Sequence, residues 1–170
     1  MKDYDDIRIV LGFQAEKVIE VVNQYRKDLM FVFNNDYRFN GPAASLTKGM
    51  INSREYLLSI DGDILVSPDD FKRLLDDEEE YLAVSNRCSS EPILVEVEDG
   101  KAFHFSIKGN YEWPGIVKIR SNRFKGGSAS TYELIEKLLP IKTVLVNSRD
   151  IDTPDDYDSA IEWVGKKYKD

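Results

Sequence analysis

Tyr56-Leu-Leu-Ser-Ile-Asp-Gly-Asp63 is an apolar run that ends in two carboxylates separated by a glycine. A short apolar run bounded by turn residues reads as a buried strand. Asp-Gly supplies the turn chemistry that ends it. In a parallel sheet the end of such a strand is the carboxyl edge, where open α/β sheets hold their ligands. The run is followed at once by Ser67-Pro68-Asp-Asp, which opens a helix with Ser67 as cap and Pro68 at its first turn. The order is strand, acidic turn, helix.

The same order recurs upstream. Residues 7–11 (Ile-Arg-Ile-Val-Leu) read as a strand, and residues 15–25 as a helix in which Val18, Ile19, Val22 and Tyr25 recur at helical spacing. Residues 29–33 form the next predicted strand, residues 34–40 a polar loop, and Gly41-Pro42 opens a helix through about residue 51. Repetition of this kind predicts a mostly parallel sheet with helices on both faces. From residue 81 to 119 the pattern changes. Strand-like runs at 81–85, 93–97, 102–107 and 116–119 are separated by Glu98-Asp-Gly100 and Lys108-Gly-Asn110, which predicts antiparallel strands. A helix at 131–138, a strand at 143–146 and a helix from Pro154 to about Lys167 complete the pattern. With 170 residues and no linker or low-complexity tract, residues 1–170 are read as a single domain.

Charge narrows the partners. The chain carries 31 acidic and 23 basic side chains, a formal charge of −8, without a basic stripe to track phosphates, so nucleic acid is not expected. A phosphate ligand on so acidic a protein calls for a divalent cation or local basic groups. The one cysteine, Cys88, cannot form an internal disulfide, and no Cys/His spacing suits zinc. The acidic start MKDYDDIRIV is unlike a signal peptide, and no apolar run reaches membrane-spanning length, so a cytoplasmic location and no membrane partner are expected.

Three segments carry candidate chemistry. Asp61 and Asp63 offer two hard oxygen donors of the kind Mg²⁺ takes together with substrate phosphates. The second segment is Arg149-Asp-Ile-Asp152-Thr-Pro-Asp-Asp156. Thr153 caps a helix there and Asp155 and Asp156 suit its first turn, whereas Asp152 lies before the cap and is free for a metal. The third runs from Asn34-Asn35 through Asn40-Gly41-Pro-Ala-Ala-Ser45, a polar loop entering a helix whose amides can hold a base edge or a phosphate. Each has an ordinary alternative as turn or capping chemistry. Three further features are assigned no site. His104 reads as a surface side chain, Asp76 to Glu80 as a solvated acidic turn, and the Lys125 to Ser130 loop as a connector.

Taken in order, VLGFQAEKV, FVFNNDY, NGPAASL, YLLSIDGDILVSPDDF, WPGIVKI and DIDTPDDYDSAIEWV resemble nucleotidyltransferases of the sugar-phosphate and phosphocholine type and their molybdenum-cofactor-type relatives. The likeness spans nearly the whole chain. It implies a Rossmann-like nucleotide-diphospho-sugar transferase fold, with a mostly parallel sheet and an antiparallel insertion. By the resemblance Asp63 and Asp152 are the catalytic acids and bind Mg²⁺, with Asp61 as a further ligand, while Asn34, Gly41 and Ser45 contact the nucleotide base. Trp113 and Gly115 fall on the acceptor side. The implied reaction moves a nucleotidyl group from an NTP to a small phosphorylated acceptor and releases pyrophosphate. The family's opening strand, its G-x-G-x-R loop and the following helix have no counterpart before residue 7. That departure implies weak turnover by this chain alone, and a second copy or a partner chain that supplies the missing strand. The alternative is a catalytically inactive nucleotide-binding, regulatory or assembly module of the same fold.

Overall fold

The structure, a computed structural model, describes residues 5–167. The described residues form two compact units, one from the segment up to Leu57 together with Ile119–Leu138, the other from Leu58–Lys118 together with the segment from Leu139 onward.

In the first unit, β1 (Arg8–Leu11) pairs in parallel with β2 (Met30–Phe33), Arg8 opposite Met30 and Leu11 opposite Phe33. Parallel neighbours need a crossover. Here it is helix α1 (Ala15–Val22), which ends at Asn23, so the predicted continuation to Tyr25 is not helical and Tyr25 stands exposed. Helix α2 (Pro42–Gly49) begins with the proline at its first turn and buries Ala43 and Ala44. Gly49 lies so close to β1 that an added Cβ would come within 2.8 Å of Val10 Cγ2. The C-terminal end of α2 is held by Arg8, whose guanidinium donates to the carbonyls of Gly49, Ile51 and Asn52 while pairing with Asp6. A cation there satisfies the carbonyls that a helix end leaves open. One turn of 3₁₀ helix, Ser121–Arg123, and helix α4 (Thr131–Glu136) complete this unit.

The second unit contains β3 (Tyr56–Ile60), β4 (Ile64–Val66), α3 (Pro68–Asp76), β5 (Tyr81–Val84), β6 (Leu94–Glu98), β7 (Lys101–Phe105), β8 (Tyr111–Glu112), β9 (Ile116–Arg120), β10 (Ile141–Leu145), β11 (Ser148–Asp150) and α5 (Pro154–Lys167); the boundary between the units falls within β3 and β9. Its sheet has seven strands in the order β3-β9-β5-β10-β7-β6-β8. Strand β10 runs parallel to β5 and antiparallel to β7, and β6 is antiparallel to both β7 and β8. The sheet is therefore mixed. Tyr81, Leu82, Ala83 and Val84 are all buried, as a central strand covered on both faces requires.

Leu74, Tyr81, Ala83, Ile116 and Val146 form a core cluster against which Leu58, Ile64, Val66 and Val144 pack. The Tyr81 hydroxyl, buried with the ring, donates to the Leu74 carbonyl at 2.6 Å and so ties α3 to the sheet. Ser67 caps α3, its hydroxyl donating to Asp70 at 2.7 Å and accepting from the Asp70 amide. No helix among the described residues is long and apolar enough to cross a membrane.

Candidate active site

The chemistry-bearing residues of the second unit are gathered by a pairing between two very short strands. Strand β4 runs antiparallel to β11, with Ile64 opposite Asp150 and Val66 opposite Ser148. The Ile151 amide then donates to the Asp63 carbonyl at 3.1 Å and extends the ladder by one step. Residues that flank these strands are thus held side by side. Asp63, Asp150 and Asp152 each bring a carboxylate oxygen within 4.8 Å of the others.

They share a cleft of about 170 Å³ with Asp61, Glu91, Trp113 and Gly115. Asp61 is fixed to its far wall, its amide donating to the Gly115 carbonyl at 3.2 Å. Gly115 has φ +69°, a left-handed conformation that favours glycine. A Cβ at this position would also lie 2.4 Å from Asp61 Oδ2, so the glycine makes room for the carboxylate as well. Trp113 is buried, donates from its indole N–H to the Ile116 carbonyl at 3.1 Å and packs edge-on against Phe105 at 5.5 Å.

Electrostatics shows how crowded these acids are. Partial desolvation, then the charges of Asp63 and Asp150, push Asp61 up to about 6, although one side of the residue stays open to solvent. Desolvation and the neighbouring Asp152 and Asp63 charges push Asp150 up to about 6 as well. Asp152 is raised by desolvation and by Asp63 and Asp156. Like charges forced together disfavour ionisation, and a bound cation reverses that preference. A set of all-oxygen donors fits a hard divalent cation such as Mg²⁺ and does not fit a thiophilic metal.

Asp63 and Asp152 thus lie together in one cluster, and Asp61 lines the same cleft. Asp150, which completes the cluster, was not picked out by its sequence context. The candidate base-contacting residues belong to the first unit. Asn34 follows β2 and is 1% exposed, and its Nδ2 donates to Ser45 Oγ at 3.0 Å. Its Oδ1 is buried without a partner among the described residues. The Gly41 amide donates to the Ser128 carbonyl at 2.8 Å, and a Cβ on Gly41 would fall 2.3 Å from the Ala129 carbonyl oxygen.

No family model and no curated protein matches the sequence. Solved structures do. The inositol-1-phosphate CTP transferase from T. maritima superposes with a TM-score of 0.78 at 20% identity, over 96% of this chain and 76% of that one. The CTP:phosphocholine cytidylyltransferase from Streptococcus pneumoniae gives 0.72 at 19% identity, over 96% and 80%. A UDP-glucose pyrophosphorylase gives 0.68 at 14% identity, over 95% and 81%. This is the nucleotidyltransferase fold. In this fold Asp63 lies between β3 and β4, Asp150 is the last residue of β11, and Asp152 follows it.

Proposed function

We propose that the chain binds a divalent cation, Mg²⁺, with a nucleoside triphosphate, and transfers the nucleotidyl group to a small phosphorylated acceptor with release of pyrophosphate. The observation that carries this reading is the cluster of Asp63, Asp150 and Asp152, three carboxylate oxygens within 4.8 Å of one another in a chain with the nucleotidyltransferase fold. Asp63 and Asp152 would hold the cation, joined by Asp150, with Asp61 at the margin of the same cleft. When bound, such a cation offsets phosphate charge and orients the triphosphate for in-line displacement. The protein's own share is to hold its carboxylates close together before the ligand arrives. Gly115 supports this by admitting Asp61 to the cleft wall. Trp113, rigidly seated by its indole hydrogen bond and by Phe105, offers an apolar wall to an acceptor.

For the first unit the reading assigns contact with the base to Asn34, Gly41 and Ser45. Asn34 is bound through its Nδ2 to Ser45 Oγ at 3.0 Å, so the two residues form one polar group directly after β2. Replacement of Asn34 by Ala should then change the ranking of CTP, UTP, ATP and GTP.

The test is thermal unfolding with Mg²⁺ and each NTP, coupled to a pyrophosphate-release assay with sugar phosphates and phosphocholine. Wild type should be stabilised by Mg²⁺ plus NTP, since a ligand that binds only the native state must stabilise it. Asp63→Asn should lose the metal-dependent part of that gain. An identical response from both proteins removes Asp63 from the site. Stabilisation without pyrophosphate release from any acceptor would instead assign the chain to nucleotide binding without transfer.

A further inference from the structure

A second cleft of the second unit, of about 410 Å³, is lined by Arg73, Arg87 and Arg149 and by the carboxylate of Asp70 alone. Three guanidiniums against one carboxylate make this a cationic pocket on a chain whose formal charge is −8. The arginines are positioned chiefly by groups that do not cancel their charge. Arg87 donates to the Gly109 carbonyl at 2.6 Å, and Arg149 donates to the Ser148 carbonyl at 2.6 Å while its guanidinium lies 5.1 Å from the centre of the Trp163 ring. Among the described residues Arg73 alone of the three is matched by a carboxylate, that of Asp70 at 2.5 Å, and it also donates to the Leu145 carbonyl at 2.7 Å. Asp70 is meanwhile occupied by the Ser67 hydroxyl and the Asn147 amide, so it has little capacity left to neutralise the other two arginines.

The floor carries a further sign of unmet hydrogen bonding. Ser148 lines the cleft, is 1% exposed, and its hydroxyl has no partner among the described residues. The side chains of Asn86 and Asn147 add amide groups at the rim.

We infer that this cleft is a binding site for a small phosphorylated compound, recognised through its phosphate by Arg87, Arg149 and Arg73. Guanidiniums fit phosphate oxygens in paired hydrogen bonds, and the surplus positive charge of the lining matches a phosphate monoester dianion. The volume falls in the range of small-molecule sites, about 300–1,000 Å³, so it leaves room for the organic group that carries the phosphate. The site needs no metal. In this it differs from the cluster of Asp63, Asp150 and Asp152, and it stands whether or not that cluster supports nucleotidyl transfer.

The experiment is ³¹P line-broadening titration with glucose 1-phosphate and with inorganic phosphate, in EDTA and again with Mg²⁺. Binding of the ester in EDTA is expected, with affinity reduced about tenfold or more in Arg87→Gln and in Arg149→Gln, the usual effect of losing a charge-assisted hydrogen bond. Arg87 is exposed, so its replacement leaves the core intact and reads the site even if Arg149→Gln loosens the contact with Trp163. Equal affinity in wild type and Arg87→Gln overturns the inference. So does binding that appears only with Mg²⁺, which would place the phosphate at the carboxylate cluster. Binding of inorganic phosphate with exclusion of the ester overturns the assignment to phosphorylated compounds.

Discussion

Asp150→Asn should move stability in opposite directions depending on whether a divalent cation is present. The carboxylates of Asp63, Asp150 and Asp152 have oxygens within 4.8 Å of one another, so Asp150 faces two like charges at close range. At that separation one pair of unit charges repels by about 0.9 kcal/mol in bulk water and about 3.5 kcal/mol at an effective dielectric of ~20. Asp63 and Asp152 are exposed, so water and salt hold the result near the aqueous limit. Two pairs then give about 1–2 kcal/mol of repulsion that the asparagine relieves. In EDTA the variant should unfold later than wild type, by roughly 2–8 °C for a chain of this size. With Mg²⁺ the order should invert, because the cluster has lost one anionic ligand and the wild-type gain from binding is no longer available. Differential scanning calorimetry with and without Mg²⁺ measures both signs. A variant less stable than wild type in EDTA, or one that keeps the full Mg²⁺ response, would refute the reasoning.

Three further outcomes follow from the same geometry. Asp61 and Asp150 are both pushed up to about 6, so the folded protein takes up their protons more readily than the unfolded chain; in EDTA the thermal midpoint should rise as pH falls from about 7 to about 5. Below about pH 4 it should fall, because Asp70 and Asp77 are lowered and their stabilisation is lost there: burial opposes their charge, but Ser67, the Asn147 amide and Arg73 outweigh it at Asp70, and Lys142 does so at Asp77; a midpoint that falls steadily from pH 7 to 5 counts against this. Gly115→Ala should cost about 2 kcal/mol in urea titration, through a left-handed backbone and a Cβ driven against Asp61; an unchanged midpoint would show that the loop relaxes freely. Glu112→Ala should cost about 3 kcal/mol and Glu112→Gln less, because the buried carboxylate accepts the Cys88 amide at 2.7 Å and the Ser89 amide at 3.3 Å; equal losses in the two variants would mean that side-chain bulk matters rather than the acceptor oxygens.

The fold class was legible in the sequence because the decisive elements are locally self-consistent. Tyr56–Ile60 is an apolar run, Pro42 and Pro68 mark helix starts, and Ser67 caps as its position predicts. What escaped notice depends on partners distant in the chain. Ser148-Arg-Asp150 has no apolar period, and Ile64–Val66 is only three residues long, so neither signals a strand until the two lie side by side. Asp150 escaped with them. The spacing of Asp150 and Asp152, two residues apart, was the available clue, since extended residues i and i+2 share a face. The run from Asp76 to Glu80 reads as solvated acid, yet Asp77 and Glu79 both pair with Lys142, at 2.9 and 2.6 Å. No local pattern shows that contact. Nor does one show the Asn34–Ser45 hydrogen bond or the cationic cleft around Arg87, which draws its lining from several separate segments.

The antiparallel pairing of β4 with β11 carries a kinetic consequence. It joins Ile64–Val66 to Ser148–Asp150, segments far apart in the chain, so closing that loop is costly, and its closure is expected to follow the pairing of β5 with β10. Before that step Asp63 and Asp150 are distant and offer a cation nothing better than isolated carboxylates. A divalent ion should therefore leave the refolding rate nearly unaltered and act almost wholly by retarding unfolding, as a clasp fastened after the garment is already closed.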